Sequence, residues 1–140
     1  MRKTILFTVF WLTVAAIVYS CQDASEIEKA KYMSNGKDLY KTYCQNCHGE
    51  NGEGLGQLAP PLTDTVFLKQ NKAKLACIIK NGTNEPMTIN GKAYQGKMPD
   101  FSNLHDIDLA QVIVYITNSF GNNQGMYNYQ KVTADLQNCK

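Results

Sequence analysis

The run Cys44-Gln45-Asn46-Cys47-His48 constrains this chain more than any other feature. Two thiols stand one helical turn apart and an imidazole follows at once, the C-x-x-C-H pattern of covalent haem attachment. Each residue type has a chemical reason to be there. The thiols add to the two vinyl groups of a porphyrin and form thioethers. Two intervening residues let both sulfurs reach one porphyrin edge. The adjacent histidine offers one ring nitrogen to the iron and keeps the other to donate to a neighbouring acceptor, which fixes the ring. A zinc site would need further ligands at metal spacing, but His105 is the only other histidine, and Cys77 and Cys139 are isolated. A thioredoxin-like dithiol would need a βαβ setting and would have no use for His48.

The N-terminus constrains the compartment. Arg2 and Lys3 precede an apolar run from Ile5 to Tyr19, broken only by Thr8 and Thr13, and Ser20 precedes Cys21. A charged start, an apolar middle and a small residue at the cut form an export signal. The run is shorter than the roughly 20 apolar residues of a spanning helix. Val18-Tyr19-Ser20-Cys21 resembles a bacterial lipobox, with Tyr19 standing where that pattern has a small or aliphatic residue. It implies cleavage after residue 20 and lipid on Cys21. An uncleaved N-terminal anchor, or ordinary cleavage nearby, are the other readings. Under any of them the globular part lies outside the cytoplasm, in the bacterial cell envelope, and the lipid reading places it at a membrane facing the periplasm. The expected organisation is a signal peptide over 1–20, a polar tether over 21–33, a folded domain over 34–120 and a tail over 121–140 that packs on it.

Without the leader the chain keeps twelve basic residues, all lysine, against twelve acidic ones. A nucleic-acid binder would show a basic excess and arginine, so that class is set aside. Export also makes a disulfide between Cys77 and Cys139 chemically possible. Two separate buried thiols are the alternative.

Around the motif the pattern is helical. Leu39, Tyr40 and Tyr43 cluster at helical spacing and lead into Cys44. The glycine-rich stretch 49–56 reads as a loop. Pro60-Pro61-Leu62 and Gly96-Lys97-Met98-Pro99 follow. From Ile107 to Phe120, Leu109, Val112, Ile113, Ile116 and Phe120 form one apolar stripe. Asp106 and Asp108 suit its first turn, and Gly121 is expected to end it. Val132–Leu136 is expected to open a short helix capped by Thr133.

This order of helix, C-x-x-C-H, glycine loop, P-x-L, Met-Pro and C-terminal amphipathic helix resembles the monohaem class I c-type cytochromes over about residues 34–120. The resemblance implies an all-α fold, with a few short helices wrapped round one covalently attached haem c. It implies that Cys44 and Cys47 are the thioether cysteines and His48 the proximal iron ligand. It further implies that the carbonyl of Pro60 accepts the His48 ring N–H, with Pro61 as a second register, and that Leu62 packs on the haem. It makes Met98 the sixth ligand; Met87, in the same segment, is the competing methionine. Gly36 and Tyr40 would meet the last helix near Tyr115.

The functional expectation is an exported, membrane-tethered, monomeric electron carrier that is not an enzyme and passes single electrons between respiratory-type redox proteins. Lys69, Lys72, Lys74, Lys80, Lys92 and Lys97, with only Glu85 to oppose them, suggest a docking face for an acidic partner; a merely solvated face is the plainer reading. The rival classes are a haem subunit of a small-molecule reductase or peroxidase, and a gas sensor with a labile methionine.

Overall fold

In the computed structural model, residues 2–139 are described, apart from the side chains of Arg2 and of residues 18–23. The side chain of Cys21, the expected lipid site, thus lies outside the described residues. Residues up to Lys31 and residues from Tyr32 on form two compact units.

The first unit is helical and belongs to α1 (Arg2–Tyr43). Its large apolar side chains, Leu6, Phe7, Phe10, Trp11 and Leu12 among them, are exposed. Among the described residues no helix is long and apolar enough to cross a membrane. The stretch expected as a polar tether is helical too, since Glu26, Glu28, Lys29, Ala30 and Lys31 are good helix formers.

In the second unit α1 continues to Tyr43. Tyr32 is buried and Met33 packs on the core, so the helix joins the core slightly before the expected boundary at residue 34. There follow α2 (Gln45–His48), α3 (Thr65–Gln70), a 3-10 turn (Lys72–Lys74), α4 (Leu75–Asn81), β1 (Met87–Ile89), β2 (Lys92–Tyr94), α5 (Asp106–Ile116) and α6 (Tyr129–Leu136). Asp64 starts α3 by accepting hydrogen bonds from the backbone N–H of Val66 and Phe67 at 3.1 and 2.9 Å, which satisfies two first-turn donors.

The core centres on α5, where Leu109, Ala110, Val112, Ile113, Val114 and Ile116 are all buried. Asp108 accepts from the His105 backbone N–H at 3.2 Å and closes the helix start. The helix ends at Ile116, four residues before Phe120. The Thr117 hydroxyl donates to Ile113 O at 2.7 Å and the Asn118 amide to Val114 O at 2.8 Å. These side chains take the last-turn carbonyls and compete with further helix. Phe120 has φ +56° and turns back onto Tyr40 and Tyr115, at ring distances of 5.3 and 5.7 Å. At the crossing of α1 with α5, a Cβ on Gly36 would overlap the Gln111 backbone carbonyl and lie 2.8 Å from Tyr115 Cβ. Only glycine permits that approach.

The fold is helical, as expected, with one addition. β1 and β2 form an antiparallel hairpin with Met87 opposite Tyr94. Asn90 and Gly91 join them with φ of +49° and +74°, the two positive values of a tight hairpin turn.

Within the tail, α6 packs on α4 and α5. Asn128, not Thr133, caps α6, accepting from Lys131 N–H at 3.2 Å. Thr133 lies inside the helix and donates to Asp106 Oδ2 at 2.9 Å; a hydroxyl with a partner on the neighbouring helix is not free to cap. Val132 is fully buried. Cys139 is bonded to Cys77 of α4, with Cα atoms 5.5 Å apart at a sequence separation of 62. Closing a loop of that length stabilises by roughly 4 kcal/mol in the chain-entropy account.

Candidate haem site

The C-x-x-C-H run follows directly from the end of α1. Cys44 N–H donates to Tyr40 O and His48 N–H to Cys44 O, both at 2.9 Å, so Cys44, Cys47 and His48 lie on one short helical turn. Gly49, at φ +83°, stops the turn and sends the chain away. Its carbonyl accepts from the Tyr40 hydroxyl at 2.6 Å. Burial, the largest influence, pushes that hydroxyl above its ordinary range, so it stays a donor. Tyr40→Phe is expected to cost about 1–2 kcal/mol by leaving the Gly49 carbonyl short of a donor, read as a lower thermal midpoint.

Two backbone bonds fold the loop after Gly49 under the motif: Gly54 N–H to His48 O at 2.8 Å, and Leu62 N–H to Gly52 O at 2.7 Å. They bring the proline pair to the imidazole. It is Pro60, not Pro61, whose carbonyl lies 2.9 Å from His48 Nδ1. A carbonyl can only accept, so Nδ1 carries the proton and Nε2 keeps its lone pair. Burial is the largest influence on His48 and lowers its basicity, with the Pro60 bond opposing it. The ring is thus neutral, as a metal ligand must be.

Cys44, Cys47, His48, Leu62 and Met98 all line one largely apolar cavity of about 350 Å³. Met87 lines it too, so both candidate methionines reach the same space. They are held differently. Met98 accepts from Thr83 N–H at 2.9 Å and donates to Thr83 O at 3.0 Å, and its side chain packs on the core. Met87 lies on the hairpin and is not among the residues packed there.

The donor set fits a haem and not its competitors. Burial, aided by Cys47 beside it, pushes the Cys44 thiol up to about 12. A redox-active dithiol needs the opposite shift. Among the described residues no three His, Cys, Asp or Glu side chains gather as a metal cluster. What remains is an apolar slot with two thiols and an oriented imidazole on one wall and a thioether among its other lining groups.

Thr83 and Asn122 have parts that the sequence did not reveal. Asn122 is buried and donates to Leu62 O at 2.9 Å, tying the tail to the loop below the cavity. No sequence signal marks either residue, whereas Asn90-Gly91 was a readable hairpin signal.

The lysine stretch divides. Lys72 donates to Gln124 O at 2.9 Å and lies over the Tyr127 ring. Lys80 donates to Leu104 O at 2.6 Å and Lys92 to Gly56 O at 3.1 Å. Lys69, Lys74, Lys92 and Lys97 are exposed.

The fold and this site define a single-haem class I c-type cytochrome, a haem electron carrier with one covalently bound haem c. Residues 32–116 match the family described as cytochrome c oxidase, cbb3-type, subunit III, and the chain belongs to that family. It is similar to cytochrome c-552 of Thermus thermophilus, 24% identical over 107 residues that cover 74% of this chain and 81% of that protein. It is also similar to the cytochrome c subunit of a quinone alcohol dehydrogenase from Gluconobacter oxydans, 29% identical over 104 residues, or 73% of this chain and 22% of that one.

Proposed function

We propose that this chain is an exported, lipid-tethered electron carrier, not an enzyme, whose iron is held by His48 and Met98. The observation that carries the reading is the pair of anchored ligand groups on one apolar cavity: His48 oriented by Pro60 and Met98 bracketed by Thr83. The haem supplies an iron that cycles between ferrous and ferric states. A thioether sixth ligand favours the ferrous form and raises the potential. With His48 and Met98 both holding the iron, small molecules would be kept from it. Cys44 and Cys47 hold the porphyrin edge, and Leu62 shields it from water. Lipid on Cys21 would keep the carrier beside membrane redox enzymes and raise its effective concentration there.

The partners are redox proteins of the envelope. A relative that is a subunit of a quinone dehydrogenase supports a donor or acceptor of that kind. Of the six lysines, the exposed Lys69, Lys74, Lys92 and Lys97 are the ones left to steer an acidic partner toward the monomer. Electron-transfer rates with the true partner should fall as salt rises from low ionic strength to about 0.5 M, as screening weakens steering between exposed charges, and a variant with these four lysines changed to Gln should lose most of that dependence. A rate indifferent to salt removes the docking face. A pyridine haemochrome with a redox titration tests the carrier itself; rapid CO binding by the native ferrous protein would favour the reductase, peroxidase or sensor classes.

A further inference from the structure

The family match ends at residue 116, yet the chain continues into α6 and a disulfide. We propose that the Cys77–Cys139 disulfide, which fixes this C-terminal extension against α4, is a positioning element for the Met98 ligand and acts on it through Thr83. The inference rests on Met98 being that ligand.

The connection is short and mostly backbone. Cys77 lies in α4, a helix of only seven residues. Helices that short do not hold themselves in water and depend on what packs against them. On one side α4 is held by the extension, through the disulfide and the packing of α6 against it. On the other side the end of α4 and the two residues after it hold the segment that carries Met98. Ile79 O accepts from Phe101 N–H at 3.2 Å, and the Lys80 ammonium donates to Leu104 O at 2.6 Å. Gly82, at φ +68°, lies so close to the segment that a Cβ there would overlap Met98 O and come within 2.8 Å of Asp100 N. Thr83 then exchanges both backbone bonds with Met98, at 2.9 and 3.0 Å. From Cys77 to Thr83 the chain is thus clamped by the tail on one flank and clamps the methionine segment on the other. Opening of α4 would release the Met98 backbone, and local opening is set by how firmly such a unit is held.

The test uses the full haem-loaded chain and its Cys77→Ser/Cys139→Ser variant. Three quantities are read: the alkaline pH at which the ferric methionine–iron charge-transfer band disappears, the rate of CO binding to the ferrous protein, and hydrogen exchange at the Thr83 and Met98 amides. In the variant the band should vanish at least one pH unit earlier, CO should bind at least tenfold faster, and both amides should exchange at least tenfold faster. Asp64→Ala serves as a control that lowers stability by removing the cap of α3, away from α4 and from the iron ligands, and it should leave all three near wild type. If the double variant merely unfolds at a lower temperature, with band, CO rate and amides unchanged, the disulfide is only a staple and the inference is overturned. It is overturned as well if Asp64→Ala moves the three readouts equally. If the variant does not accumulate with haem, purified wild type is treated with excess dithiol, which takes the disulfide to two thiols as the reagent closes to its own disulfide. The thiols are then alkylated and the iron reoxidised, and the same outcomes decide. A wild type without the methionine band would instead overturn Met98 ligation itself.

Discussion

Met98→Ala should abolish the methionine–iron charge-transfer band and open the sixth position, so that CO binds the ferrous protein quickly. The midpoint potential should fall by on the order of 0.1–0.3 V, within the roughly 0.8 V over which axial ligands set haem potentials. Loss of a thioether that packs on the core also leaves a cavity, at a cost of about 2–4 kcal/mol. Met87→Ala is the informative partner. Met87 lines the same cavity but is paired within the hairpin to Tyr94 and does not pack on the core as Met98 does, so its removal should leave band and potential near wild type. Absorption spectra and redox titrations of the two variants decide between the methionines. A lost band in Met87→Ala with a retained one in Met98→Ala would reverse the assignment.

Gly36→Ala should destabilise the domain by about 3 kcal/mol or more, although alanine is the better helix former. The helical gain is at most about 1 kcal/mol. Against it stands a Cβ that would overlap the backbone carbonyl of Gln111 and press on Tyr115 Cβ at 2.8 Å. Backbone cannot step aside as a flexible side chain can, so α1 and α5 must separate, and overpacking of that kind costs a few kcal/mol. The separation would also disturb Tyr40 and Tyr115, whose rings lie 5.4 Å apart just ahead of Cys44. Thermal unfolding of the haem-loaded protein should show a midpoint lower by roughly 10 °C or more. An unchanged midpoint would mean that the helices do not cross as closely as described.

Much of this site was legible because its chemistry is local in sequence. Cys44, Cys47 and His48 occupy one helical turn, so their spacing alone states their relation. The apolar stripe of α5 was readable for the same reason: burial on one face repeats at the helical period. The end of that helix was not. The stripe runs on to Phe120, but the polar side chains of Thr117 and Asn118 return to the carbonyls of Ile113 and Val114, and that competition leaves no trace in hydrophobic periodicity. The Asn90-Gly91 hairpin was written in its turn residues, yet its strands are three residues each, too short for alternation to declare them. Thr83 and Asn122 were illegible in principle. Both act on residues distant in sequence, Thr83 through its backbone, whose N–H and C=O every residue type but proline carries. The disulfide lay between: two cysteines in a chain whose N-terminus reads as an export signal suggested a pair, while their 5.5 Å approach depends on how α6 docks.

The most direct test is the absorption spectrum of the purified ferric protein at neutral pH, expressed in a host able to attach haem. The predicted result is a low-spin, six-coordinate spectrum with a far-red methionine–iron band, and colour that stays on the polypeptide after denaturation. A colourless product, or a five-coordinate high-spin iron, would contradict the account.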